Sequence, residues 1–189
     1  QKYVSVDYST DYGKSFGQAI RLNPTDMPIH LWDENPPAIS VDREGRVYVL
    51  YFADDQQSST SFFSHSDNGT LFSAPIKISS EANTWYHYQT EMLVDAKNRI
   101  HFIWHDTRDR AEYKKQGGGD LSIYHASAKT KTIEAPFSDQ RIAKNICSCC
   151  RTAMAEDVDG NLVILARFVY PGNIRDHGLF KLSPDGKAG

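Results

Sequence analysis

The sequence predicts an all-β fold, a β-propeller of four-stranded antiparallel blades, and three observations carry that expectation. Three stretches superimpose: "PAISVDREGRVYVLYF" from Pro37, "TEMLVDAKNRIHFIWH" from Thr90 and "TAMAEDVDGNLVILAR" from Thr152. A short polar motif rich in Asp and Gly recurs in the gaps between them. The composition, 12% aromatic with 12 Gly and 8 Pro spread along the chain, suits strands joined by many tight turns.

Each superimposing stretch reads as strand, turn, strand. An apolar run ends at an aspartate (Asp42, Asp95, Asp157), a Gly or Asn follows three residues later (Gly45, Asn98, Gly160), and a second apolar run begins. Gly and Asn tolerate the positive φ that a tight hairpin demands. The spacing of roughly 55 residues between these hairpins leaves room for two more strands per repeat, which makes one propeller blade. In chain order, residues 1–23 supply the outer two strands of one blade, 24–79 a whole blade, 80–143 another and 144–189 most of a fourth. The segment from Ile103 to Asp109, leading to Leu121–Ser127, reads as the second and third strands of its blade. Two whole and two partial blades cannot close a ring. The chain is therefore expected to be about half of a propeller, with the remainder of the propeller covering blade faces that would otherwise be bare.

The recurring polar motif is "Ser9-Thr10-Asp11-Tyr12-Gly13-Lys14-Ser15-Phe16", then "His65-Ser66-Asp67-Asn68-Gly69-Thr70-Leu71-Phe72", then "Ser183-Pro184-Asp185-Gly186-Lys187". It resembles the Asp-box, or BNR repeat, of the sialidase (neuraminidase) superfamily, whose pattern is Ser-x-Asp-x-Gly-x-Thr followed by Trp or Phe. The first copy is close, the second has His65 in place of Ser, and near His125–Thr130 the Asp and Gly are lost. The resemblance implies a six-bladed ring when complete, and it implies that the boxes tie down outer hairpins rather than carry chemistry.

Charge and hydropathy exclude other classes of partner. Twenty-one basic and 24 acidic residues give a net charge of −3, which offers no electrostatic footprint for nucleic acid or an anionic membrane surface. No apolar run reaches the ~18 residues of a membrane span, and the opening "QKYVSVDYST" is not a signal peptide. An extracytoplasmic protein, periplasmic or secreted, would carry its signal outside this chain.

Strand parity assigns the chemistry to one end. In an up-and-down blade the turns at Asp42, Asp95 and Asp157 share one end with the boxes, while the links 24–37, 80–89 and 144–151 and the loops 52–60, 105–119 and 167–177 lie at the other. Those segments hold most of the unusual side chains, and loops on a rigid scaffold are where function concentrates. The resemblance implies three arginines gripping a substrate carboxylate there, a role suited to the planar, permanently charged guanidinium. Arg151, Arg167 and Arg175 are the candidates, with Trp85 as a further ligand contact. A glycosidase also needs carboxyl or Tyr groups on both sides of the scissile bond. Glu91, Asp106 and Tyr88 lie close enough in the blade map to fill such roles, although no Tyr/Glu nucleophile pair can be singled out. Two functions stay open: an exo-glycosidase-like propeller that binds a glycan or other small anionic ligand, or a non-catalytic propeller that serves other protein subunits or holds a metal.

All three cysteines stand in "Cys147-Ser148-Cys149-Cys150-Arg151". Counting back eight residues from each turn aspartate aligns Cys149 with His87 and Glu34, which would bring thiolate, imidazole and carboxylate to one channel mouth and suit zinc or copper. Three readings compete: a disulfide brace for Arg151, a metal site made by Cys147, Cys149, Cys150 and His87, and inert or redox-active thiols. The disulfide brace is the leading reading, either Cys147 to Cys150 or from one of them to a cysteine outside this chain, and the odd number of cysteines favours the outside partner.

Overall fold

The three inner hairpins close on one repeated hydrogen-bond pattern, visible in a computed structural model that describes residues 2–29, 35–54, 59–80, 87–111, 121–133 and 135–183, the side chains of Asp54, Ser59 and Tyr88 excepted. In every hairpin the turn aspartate accepts two backbone N–H groups at one carboxylate oxygen. Asp42 takes those of Glu44 and Arg46, Asp95 those of Lys97 and Arg99, and Asp157 those of Asp159 and Asn161, all at 2.7–3.0 Å. The residue three positions on has φ of 82° at Gly45, 55° at Asn98 and 80° at Gly160, the left-handed region that Gly and Asn tolerate. The second carboxylate oxygen meets a cation or a ring nitrogen: Arg46 at Asp42, Arg99 and His101 at Asp95, Lys181 at Asp157. The aspartates recur because the turn needs an acceptor there.

Strands grow from these turns in the expected order. Among the described residues they are β1 (Ser5–Val6), β2 (Ile20–Arg21), β3 (Ala38–Val41), β4 (Val47–Asp54), β5 (Ser59–Ser66), β6 (Ile76–Lys77), β7 (His87–Val94), β8 (Arg99–Asp106), β9 (Leu121–Lys129), β10 (Asp139–Ile146), β11 (Ala153–Glu156), β12 (Leu162–Tyr170) and β13 (Ile174–Leu182). β1 and β2 form a two-stranded sheet, and β3 to β6 form a four-stranded meander. β7 to β10 form a second meander, followed by β11 to β13. The last two groups touch at one register pair, Ile146 with Phe168, where the end of β10 follows β11's edge along β12. β7 lies against both β3 and β11, so the first strands of successive meanders line one axis.

Period-two alternation sends each strand's side chains into two different cores. From β4, Tyr48 and Leu50 pack with Phe63, Ile100, Phe102 and Trp104, while Val49, Tyr51 and Ala53 pack on the other face with Val4, Leu22 and Ile29. β8 sends Phe102 and Trp104 into the first of these cores and Ile103 into a third, with Leu121, Ile123, Ile146 and Ile164. Phe63 and Phe102 meet across two meanders with ring centroids 4.9 Å apart, and both are fully buried. Truncating either to Ala would cost roughly 3–5 kcal/mol. Four-stranded antiparallel sheets buried on both faces and stacked in chain order around their first strands make a β-propeller. The far face of β12 and β13 still exposes Leu165 and Leu179.

The outer tips are clasped by side chains as well. Asp11 accepts from the Ser9 hydroxyl at 2.7 Å and from the Ser15 N–H and hydroxyl at 2.9 and 2.6 Å, which holds its carboxyl down to about 2. At the second tip the sequence pattern places the acceptor at Asp67, whereas the structure uses its neighbour. The Asn68 amide oxygen accepts from Ser66, Thr70 and Leu71, moving the clasp by one residue, because an amide oxygen serves as well as a carboxylate. The third tip, beyond Ser183, lies outside the described residues. No helix among the described residues is long and apolar enough to cross a membrane.

Candidate functional site

Strand register separates the two ends of the sheets. Val47 pairs with Ser66 and Arg99 with Lys129, which groups the aspartate turns with the outer tips. Asp54 pairs with Ser59, Asp106 with Ser122 and Tyr170 with Ile174 at the opposite end. The link 147–152, between β10 and β11, belongs to that opposite end. It is shorter than expected because β10 runs on to Ile146 through two register shifts, with Asn145 at φ 59°.

This link is fastened at both margins. The Cys147 N–H donates to the Arg167 carbonyl at 2.8 Å, and Thr152 Oγ1 lies 2.6 Å from His105 Nε2. His105 and Thr152 are buried, and burial pushes the imidazole down to about 3, so this contact joins neutral groups. Sequence reasoning did not single out this pair. Its one visible signal was a polar Thr at the head of an apolar strand.

Arg151 projects from the fastened link and donates through Nη2 to Glu91 Oε1 at 2.8 Å. Glu91 sits on β7, so the pair ties the link that leads into β11 to the first strand of the preceding blade. The two side chains keep 54% and 23% of their exposure, so water and a polar ligand can reach both. The other two candidate arginines go elsewhere. Arg167 opposes His177 and Val169 opposes Arg175, which puts both guanidiniums on one face of β12 and β13. Arg167 Nη1 then donates to Cys150 Sγ at 3.3 Å and Arg175 Nη1 to Cys147 Sγ at 3.5 Å. The structure thus divides the expected arginine trio, one member facing a carboxylate and two facing sulfur.

The three sulfurs form a small triangle. Cys147 to Cys149 is 3.2 Å, Cys149 to Cys150 is 3.6 Å and Cys150 to Cys147 is 3.9 Å, all as free thiols. Burial pushes the Cys147 thiol up, but the N–H of Cys149, the two neighbouring thiols and Arg175 outweigh it and bring the group below its ordinary value. The hydrogen bonds to Cys147 and Cys150, helped by burial, push Cys149 up to about 11.

His87 and Asp106 are brought together, away from the cysteines. Among the described residues the sulfurs group without an imidazole or carboxylate. His87 accepts the Ser61 N–H at Nδ1 (3.2 Å), stacks on Trp104 (5.3 Å between centroids) and places Nε2 3.6 Å from Asp106. Burial pushes its imidazole down to about 4. Asp106, expected as a catalytic candidate, is buried and accepts from Trp104 Nε1 at 2.9 Å and from the Arg108 N–H, Nε and Nη2 at 2.8, 3.0 and 2.7 Å. Burial would push its carboxyl up, but the Arg108 bonds and His87 hold it below the usual carboxylate range. A carboxylate so held is a poor proton donor, and its role is to clasp the loop after β8. Arg108 extends the clasp to Asp139 at 3.2 Å and lies 3.9 Å from the Tyr124 ring centroid. Trp85 and Glu34 lie outside the described residues, and of Tyr88 the backbone alone is described, paired with His105.

A separate depression of about 580 Å³, lined by Glu44, Lys97, Arg99 and Lys131, lies at the aspartate-turn end. Three of these four charged groups are already committed, Arg99 to Asp95 and Lys131 to Glu44. The loop end, with an accessible Arg–Glu pair beside a thiol cluster, is the better candidate.

No protein-family model matches the sequence. The chain is 25% identical over 134 residues to "Lactonase drp35" of Staphylococcus haemolyticus, which covers 71% of this chain and 38% of that protein. It resembles the solved α-L-arabinanase of Penicillium chrysogenum with a TM-score of 0.63 at 14% identity, over 99% of this chain and 57% of the other. The GH93 α-L-arabinofuranosidase of Fusarium graminearum follows at 0.61 and 12%, over 98% and 60%. The Hadza microbial sialidase Hz136 gives 0.57 and 14%, over 80% and 35%. The chain thus spans less than two thirds of the length of each of these proteins. At such identities the structural likenesses show the fold, a β-propeller.

Proposed function

We propose that this chain forms part of a sialidase-like propeller that binds a carbohydrate or other small anionic ligand at the end opposite the aspartate turns. The observation that carries the proposal is the exposed Arg151–Glu91 pair, formed between β7 and a link fastened at both margins. A guanidinium there can take a carboxylate or sugar hydroxyls, and the neighbouring carboxylate can accept a hydroxyl. Support of a coarser kind comes from the solved structures it resembles, whose names include an arabinanase, an arabinofuranosidase and a sialidase.

In this reading the chain supplies two whole blades, 24–79 and 80–143, and two partial ones, 1–23 and 144–189, of a six-bladed ring. The exposed Leu165 and Leu179 on the last sheet suit a further blade of the same protein. The protein works outside the cytoplasm, as an exo-glycosidase if a second catalytic group comes from the other blades. Turnover of fluorogenic sialoside and arabinoside substrates by the intact protein tests hydrolysis, and no release from any of them removes the enzymatic version. One observation favours a second reading, a non-catalytic propeller serving other protein subunits: the Asp106 carboxylate is fully engaged with Arg108 and Trp104. A pull-down with the intact protein tests it, and an active hydrolase that captures no partner would contradict it.

A further inference from the structure

We infer that Cys147, Cys149 and Cys150 form a three-sulfur site for a thiophilic d¹⁰ cation, zinc(II) or copper(I). The sulfur separations are 3.2, 3.6 and 3.9 Å. Sulfurs sharing a tetrahedral zinc ion at ~2.3 Å stand ~3.8 Å apart, so the triangle is already near the size of one tetrahedral face. An ion about 2.3 Å from all three would sit roughly 1 Å off their plane.

The link that carries the trio is built to hold this arrangement. Its first cysteine is pinned by its own N–H to the Arg167 carbonyl, and the residue after Arg151 is pinned to His105. Guanidinium N–H groups of Arg167 and Arg175 reach two of the sulfurs from the β12–β13 sheet, the kind of outer hydrogen bond that orients thiolate ligands. Their charge matters too. Three thiolates carry three negative charges against two positive ones, so a monovalent ion makes the set neutral and a divalent ion leaves one net positive charge. Both are reachable states, whereas three bare thiolates at this separation repel one another. Soft sulfur ligands without a carboxylate or carbonyl exclude magnesium and calcium. Cys149 is exposed and Cys147 buried, which leaves the ion a way in from solvent and a seat against the protein. With zinc, no fourth ligand is offered by the described residues, and that position is left for water or an anion.

The site does not depend on the glycan-binding proposal, and its test reads metal alone. The intact protein, reduced and stripped with a chelator, is titrated separately with zinc(II), with cobalt(II) as a spectroscopic substitute, and with copper(I) under anaerobic conditions. One ion per chain is expected. The cobalt adduct should show sulfur-to-cobalt charge transfer and the strong visible bands of tetrahedral coordination if zinc is the preferred ion. Tight copper(I) with weak cobalt(II) binding would assign copper instead. Cys149→Ser alters an exposed residue and should keep the fold by circular dichroism while weakening binding at least tenfold. Arg167→Gln should keep the stoichiometry and lower affinity by ~10- to 100-fold. No ion bound above the buffer background, binding unchanged in Cys149→Ser, or a stable disulfide within the trio in protein prepared without reductant would overturn the site.

Discussion

Arg151 Nη2 lies 2.8 Å from Glu91 Oε1, joining the link before β11 to the first strand of the neighbouring blade. Because Arg151 keeps about half its exposure, solvent screens the pair and its share of fold stability is small. Arg151→Ala and Glu91→Gln should each change unfolding free energy by no more than about 1 kcal/mol. Denaturant titration of the intact protein checks this, and a loss of several kcal/mol would make the pair a structural brace.

The other fastening of the link is structural. Thr152→Val removes the hydroxyl 2.6 Å from buried His105 Nε2 and leaves a polar nitrogen with no partner. A loss of about 1–3 kcal/mol is expected, with Thr152→Ser near the parent. Thermal unfolding of the two variants separates the hydroxyl from the methyl group.

Acid should destabilise the fold well above the carboxylate range. Burial pushes His87 down to about 4 and His105 and His125 down to about 3. Each folded value lies below the unfolded one of about 6.5, so the unfolded chain binds protons that the folded chain does not. Their stabilising effect is complete above pH 6.5 and is lost as pH falls toward the folded values. Each should contribute a slope of up to ~1.4 kcal/mol per pH unit below about 6.5. Denaturation curves at pH 7, 6 and 5 test this, and equal stability at all three would contradict it.

The hairpin turns are the point at which sequence and structure meet most closely. Gly160→Ala, at φ 80°, should cost roughly 1–2 kcal/mol because a Cβ crowds the carbonyl there. Asp95→Ala should cost at least as much, since it frees the Lys97 and Arg99 N–H groups and the His101 ring together. Thermal melts rank the two.

These turns were readable in the sequence because a local hydrogen-bond demand fixes residue type at a fixed offset, and the apolar runs on either side of them, repeated at roughly 55 residues, then implied four-stranded blades. The loop end was readable as an address, through strand parity, and parity did gather Arg167, Arg175 and the cysteines. Partner choice at that end was not readable. The count-back that aligned His87 with Cys149 assumed equal links, but His87 begins a strand with a bulge at Gln89, whose φ is 48°, while Cys149 lies in a turn. A bulge re-aims every side chain before it. Asp106 likewise looked free for chemistry because its partners Trp104 and Arg108, each two residues away, reach it through side-chain directions that spacing does not reveal.

The most direct test of the central claim is ligand binding by the intact protein measured by calorimetry, using sialosides and arabino-oligosaccharides beside Arg151→Ala. Saturable binding of at least one of these, weakened tenfold or more by Arg151→Ala with the fold unchanged, is the expected result. Binding of none of them, or equal binding by the variant, would contradict the claim that this end of the propeller recognises a carbohydrate through Arg151.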